Sequence, residues 1–353
     1  MMRRHFAYTA VLALLLTVAL AACRREPLLI PGDAIRFSVD PTVSVSSALT
    51  KAGDDPTTED YLVAHGNAIR VWGDYTTNGG TSWTSPFPGT DITCAWAVGG
   101  TPSWNYTPVQ SWVDNATYRF RAVFPTTADI QTTGTNKTGG DKLVVQYTLP
   151  GENYDLMVAS APSVPSTDQI GNTLPLSFRH ACAAVRFLFQ ENDPKTEVLY
   201  YIKEFQLLNL YTQGTLTYTG NSASAGVTTA EWHYDAARTT VYTWSDGGDD
   251  ANRWAVPAEK ENFDAFPTGY KWFFMIPQPL SVNDGKTPSV YIKYQAGTGV
   301  IESTIPLPET DSFVAGNKYT YVINLIPKET GITLSVEPWD VINVPVDDII
   351  FGE

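Results

Sequence analysis

The chain has 353 residues, 43% of them hydrophobic and 12% aromatic, with a formal net charge of −14 at pH 7. An acidic body of this kind repels nucleic acid and anionic lipid, which excludes nucleic-acid binding, while the charge itself favours solubility. Three cysteines, Cys23, Cys94 and Cys182, are too few for a disulfide framework, so any fold must rest on its cores; the length suffices for two domains of ordinary size.

The chain opens on a basic head, Met1-Met2-Arg3-Arg4-His5, followed by an uncharged, mostly apolar run from Phe6 to Leu20. That run is shorter than the ~20 residues a membrane-spanning helix needs, so it reads as an export signal. The small residues Ala21 and Ala22 suit a signal peptidase, and Leu20-Ala21-Ala22-Cys23 resembles the lipobox of bacterial lipoproteins. The resemblance implies a signal peptide over 1–22 and a lipid on Cys23 that tethers the chain to the outer membrane. Losing 1–22 removes two arginines and no acid, taking the net charge from −14 to about −16.

Residues 23–33 read as a tether. Ala34 to Asp40 alternates with Ile35, Phe37 and Val39 on one face, the pattern of a half-buried strand. From Pro41 to Gly66 the chain is rich in Ser, Thr, Asp, Gly and Pro, and a connection that long is expected to be functional or disordered. Further strands are predicted over Ala68–Tyr75, Tyr118–Phe124, Lys142–Leu149 and Tyr154–Ala159, with Asn78-Gly79-Gly80 as a turn. Pro162 to Pro175 reads as a linker. The second half gives strands over Leu176–Phe189, Val198–Tyr218, Val241–Trp244, Trp272–Ile276, Val290–Tyr294, Ile301–Ile305, Lys318–Leu325, Ile332–Val336 and Val341–Val346. Only 58–65 and 258–266 carry a weak helical period. Short strands separated by Gly and Pro argue for an all-β chain of two tandem β-sandwiches, 34–174 and 175–353.

Nothing in the pattern asks for an enzyme: there is no catalytic constellation and no cofactor fingerprint. His65, His180 and His233 are too scattered for a metal site. Asp246-Gly247-Gly248-Asp249-Asp250 gathers oxygens that suit calcium but lacks a calcium-loop spacing, which favours a solvated acidic loop. Cys94 and Cys182 sit in apolar, strand-like contexts and suit a bridge or two buried thiols equally. Ten tryptophans divide evenly between the halves. Trp83 and Trp104, flanked by Ser, Thr, Pro and Gly, are expected to be exposed, and exposed indoles stack on sugar rings; a surface glycan-binding lipoprotein is therefore the alternative function.

Four later stretches share one resemblance. Phe178-Arg179-His180-Ala181-Cys182-Ala183-Ala184-Val185-Arg186-Phe187, Phe274-Met275-Ile276-Pro277-Gln278-Pro279, Phe313-Val314-Ala315-Gly316-Asn317-Lys318-Tyr319-Thr320-Tyr321-Val322-Ile323 and Val336-Glu337-Pro338-Trp339 together resemble the fimbrillin family of Bacteroidales-type fimbriae. The resemblance implies two transthyretin-like sandwiches, display at the cell surface in a fimbrium, other fimbrial subunits as partners, and a host or bacterial surface receptor if the subunit is adhesive. It also implies assembly by strand exchange: a protease cuts the loop after the first strand, and a terminal segment of the next subunit fills the vacated groove. Carried onto this chain, the removable strand is Ile35–Val39. Lys51, followed by Ala52, is the sole Lys or Arg in the loop and so the candidate cut, a departure from the arginine common in the family. The candidate donor is 341–351, where Ile342, Val344 and Val346 share one face and Pro345 must turn its nitrogen away from the partner edge.

Overall fold

β-branched and aromatic residues at every second position build the first layer, an eight-stranded sheet. With strands numbered along the chain, its order is β11 (Leu174–Leu176), β2 (Phe37–Val39), β5 (Ser103–Asn105), β4 (Asp91–Ala97), β3 (Ala68–Thr76), β7 (Thr117–Phe124), β10 (Met157–Pro165) and β12 (Phe178–His180). The structure is a computed structural model and describes residues 29–39, 62–63, 67–89, 91–97, 103–126, 130–132, 142–149, 155–191, 199–219, 229–249, 254–256, 261–262, 272–283, 285–307, 312–325 and 331–338. Along β7, Tyr118, Phe120, Ala122 and Phe124 turn to one face and meet Ile69 and Val71 of β3 and Met157 and Ala159 of β10 in one core. A short ribbon of β1 (Leu29–Ala34) antiparallel to β6 (Ser111–Val113) contributes Trp112 and Val113 to the same core. Gly73 is where this core comes closest to the backbone: a Cβ there would stand 2.7 Å from the Phe120 ring and 2.9 Å from Phe87.

The opposite face of the sheet carries Trp72, Val123 and Val158, together with Asp74 between Arg119 and Arg121. It is covered by a four-stranded sheet in the order β16 (Thr229–Tyr234), β15 (Gln213–Thr219), β9 (Lys142–Thr148), β8 (Ile130–Thr132). β9 and β15 pair in register from Gln213 opposite Thr148 to Thr219 opposite Lys142, and Leu143, Val145, Leu216 and Tyr218 fill the core beneath.

Two further sheets face each other across a third core. One runs β19 (Glu261–Asn262), β13 (Ala183–Glu191), β23 (Asn317–Leu325), β24 (Gly331–Pro338), with β20 (Phe273–Met275) also paired to β13. The other runs β17 (Tyr242–Ser245), β14 (Tyr200–Leu208), β21 (Ser289–Ala296), β22 (Gly299–Pro306), with β18 (Trp254–Ala255) on β14. Phe187 lies at the centre, stacked on its sheet neighbour Tyr321 (5.3 Å) and edge-on to Phe205 of the facing sheet (5.1 Å), in a core filled out by aliphatic residues such as Val185, Ile202, Ile292 and Ile323.

The all-β expectation holds; among the described residues helix is confined to Leu62–Val63 and the single turn α1 (Ser166–Gln169). Two organisational expectations do not hold. Residues 162–175 are no linker: β10 runs to Pro165, and Leu174–Leu176 forms β11 at the sheet edge, parallel to β2. Pro175 is tolerated there because Leu174 donates its amide to Arg36 O (2.8 Å), so the next residue's missing N–H falls on the open side. The division at 174/175 is also crossed, by β11 and β12 in the first sheet and by the β9–β15 ladder. Cys94 and Cys182 are both buried free thiols, in two different cores.

Candidate functional site: the slot around the first strand

The predicted strand 34–40 divides at Ile35-Arg36 into the end of β1 and the start of β2. Its alternation survives: Ile35, Phe37 and Val39 are 0%, 2% and 4% exposed, while Arg36 points out. β2 sits between two short strands. On one side Phe37, Ser38 and Val39 lie opposite Leu174, Pro175 and Leu176 of β11, and on the other Phe37 lies opposite Trp104 of β5. Ile35 donates its amide to Gln110 O (2.8 Å) and accepts at its carbonyl from Tyr106 Oη (3.0 Å). The Phe37 ring meets Phe120 edge-on at 5.2 Å and Tyr106 at 6.2 Å.

Burying three side chains of this size contributes roughly 5–8 kcal/mol, against about 1 kcal/mol for each ladder bond. Apolar burial therefore holds the strand, and its removal would leave a trough with an unpaired edge on each side. A surface cavity of about 380 Å³ opens beside it, lined by Ala34–Phe37, Ser103–Tyr106, Val109 and Thr173. Val109, 59% exposed, stands at its mouth.

Trp104 is a wall of this slot. The expectation that it is exposed is overturned: it is 4% exposed and packs on Trp96 at 5.2 Å. Its Ser and Asn neighbours belong to a strand of only three residues, too short for alternation to register. Trp83 is half-buried, with the Arg119 guanidinium 3.8 Å above its ring. Arg119 and Arg121 both pair with the buried Asp74, Arg121 at 2.8 Å, so that indole face belongs to a fixed cation–π stack and is not open to a sugar. Cys23, Lys51, Ala52, Ile342, Val344 and Val346 lie outside the described residues.

Other candidate chemistry is already engaged in the fold. Asp246 is buried and takes Lys203 at 2.9 Å. Burial works to raise its pKa, but the Gly248 amide and the Lys203 ammonium together hold it below the usual carboxylate value. Among the described residues no three metal-ligating side chains cluster. The buried pair of His180 Nδ1 and Asp155 Oδ2 escaped sequence reasoning because 25 residues separate its members. Burial lifts the Asp155 carboxyl well above its ordinary range and does the same to the neighbouring Cys182 thiol, which is thereby held protonated and unreactive.

The fimbrillin-like family matches residues 50–339, most of the chain. The chain belongs to the fimbrillin-like family. A fimbrial subunit is the reading that membership supports. Among solved structures, a fimbrial protein from Bacteroides vulgatus is 16% identical, with a TM-score of 0.52 over 87% of this chain and 100% of that one, a likeness of fold. The tip fimbrial protein Mfa3 from Porphyromonas gingivalis, with a C-terminal truncation, is 10% identical, with a TM-score of 0.39 over 77% of this fimbrillin-like chain and 94% of that one. No curated protein sequence matches.

Proposed function

We propose that this fimbrillin-like chain is a non-enzymatic subunit of a cell-surface fimbrium, exported as a lipoprotein through Cys23 and assembled by β-strand exchange. The observation that carries the reading is the seat of β2: three alternating apolar side chains buried between the short strands β11 and β5. A cut in the 41–66 loop, with Lys51–Ala52 as the candidate bond, severs the covalent hold on that strand. The strand can then leave as a unit, because neither of the strands that flank it in the sheet, β11 and β5, is its neighbour in the chain. The exposed edges and apolar trough accept a strand of like alternation, and Ile342, Val344 and Val346 of a neighbouring subunit have it. In this reading the two sandwiches are transthyretin-like units that share the four-stranded sheet. The glycan-binding alternative loses its platform with Trp104 buried and Trp83 stacked under Arg119.

The test is deletion of 341–353. A folded monomer that forms no polymer is the expected outcome, and intact fibres from the deletion variant would sink the donor assignment.

A further inference from the structure

A second acceptor edge lies far from the slot. β16 is the outer strand of the four-stranded sheet, and among the described residues no strand pairs with its far side. The hydrogen-bond phase of that edge is fixed by the bond from Asp235 N to Gln213 O (3.2 Å), which makes 235 and 213 a bonded pair. In an antiparallel ladder bonded pairs alternate, so His233 and Glu231 direct their N–H and C=O at β15, while Ala230, Trp232 and Tyr234 direct theirs outward.

The side chains of those same residues face a groove of about 330 Å³, closed on its other side by Pro277, Pro279, Phe313 and Val314. Its walls are held in place: Tyr234 lies flat on Tyr211 (4.1 Å, 2°) and donates to Pro277 O (3.0 Å), and Trp232 Nε1 donates to Ala181 O (3.2 Å). Val314 is 46% exposed over it. Gln278 and Ser312 are the uncharged polar residues in the lining, and the Gln278 amide is consumed by Tyr211 and Ile276 backbone, so the groove offers mainly apolar surface and backbone edge, with one small hydroxyl besides. An extended apolar peptide fits that chemistry.

The last described strand ends close by. β24 finishes at Pro338 opposite Asn317, and Asn317 donates its amide to Val314 O (3.2 Å) in the turn that walls the groove. Two residues, Trp339 and Asp340, then separate Pro338 from Val341, and they span up to ~10 Å when extended. Antiparallel pairing to β16 makes one further demand, and the tail meets it. The residues that bond to Ala230, Trp232 and Tyr234 must put their side chains into the groove, and the residues between them turn their nitrogens away. With Ile342, Val344 and Val346 in the groove, Pro345 falls among the residues that need no donor.

We propose that residues 341–346 dock in cis, antiparallel, on the outer edge of β16 in the unassembled subunit, a holding site that masks the tail until it is released. The docking does not depend on exchange, since it is a property of the uncleaved monomer whose slot is filled by its own strand. The test is amide hydrogen exchange, read by NMR on the full uncleaved chain, of Ala230, Trp232 and Tyr234, with His233 and Glu231 as reference. Protection of the three outward amides at least tenfold higher in wild type than in Val344→Asp, matched by Asn343→Asp and unchanged by tenfold dilution, is the result expected. Equal exchange in wild type and Val344→Asp overturns the proposal, and so does protection that falls on dilution, which would make the occupant the tail of a second copy. Either failure leaves strand exchange at the first slot untouched, because that is read by polymer formation after cleavage.

Discussion

Phe37→Ala is the sharpest perturbation of the slot. The ring is 2% exposed and packs against Phe120 and Tyr106, so its loss removes both the transfer term and two aromatic contacts. A buried Phe→Ala change costs about 3–5 kcal/mol, which corresponds to a roughly 10²- to 5 × 10³-fold increase in the opening of whatever unit the ring secures. If that unit is the first strand alone, the loss is local. Two amides report on it: Ile35, bonded to Gln110 O, and Leu174, bonded to Arg36 O. Leu307, bonded to Pro288 O in the other sandwich, is the control. Hydrogen exchange of the uncleaved variant is expected to accelerate by about 10² to 5 × 10³ at Ile35 and Leu174 and to stay unchanged at Leu307. Equal acceleration at all three would mean that the strand opens only with global unfolding, and the reasoning that treats it as a separable unit would be wrong.

Gly73→Ala forces a methyl to within 2.7 Å of the Phe120 ring, and overpacking of this kind is expected to cost about 1–3 kcal/mol, seen as a lower midpoint in urea. Trp104→Ala is expected to destabilise the first sheet by about 3–5 kcal/mol, measured by denaturant titration; an unchanged midpoint would contradict its burial against Trp96. Burial pushes the Cys94 thiol up to about 12, so it stays protonated across neutral and mildly alkaline pH, and native protein at pH 8 is expected to resist alkylation at Cys94 until denaturant is added. Asp246, held below its ordinary value of 3.8, favours the folded state once it is ionised. That contribution is present above 3.8 and is lost as pH falls through the lower folded value, so Asp246→Asn is expected to flatten the acid limb of stability below about pH 4.

The local pattern of this chain was legible and its long-range pairing was not. Alternation located β3, β7, β21 and β23 to within two residues at each end, because β-branched and aromatic residues at every second position leave few other readings. It also marked Ile35, Phe37 and Val39 as the buried face of the first strand. The β9–β15 ladder joins residues some 70 positions apart, and no local feature of Lys142–Thr148 says that its partner is Gln213–Thr219. Pro175 hid β11, since a proline between turn-forming residues reads as linker unless the open side of an edge strand is known. Trp104 failed for a related reason: Ser, Pro and Asn around a three-residue strand carry the composition of a loop, and only the sheet around it reveals the burial. Trp83 needed its partner, Arg119, from a strand 36 positions away.

The central claim, that the first strand is cut away and replaced in trans, is tested most directly by the intact mass and N-terminal sequence of the protein taken from the cell envelope, run on gels with and without heating. The account predicts a chain beginning at Ala52 and ladders that collapse to monomer on boiling. An acylated Cys23 at the start of the chain, with Ile35–Val39 retained and a single monomer band before heating, would contradict it.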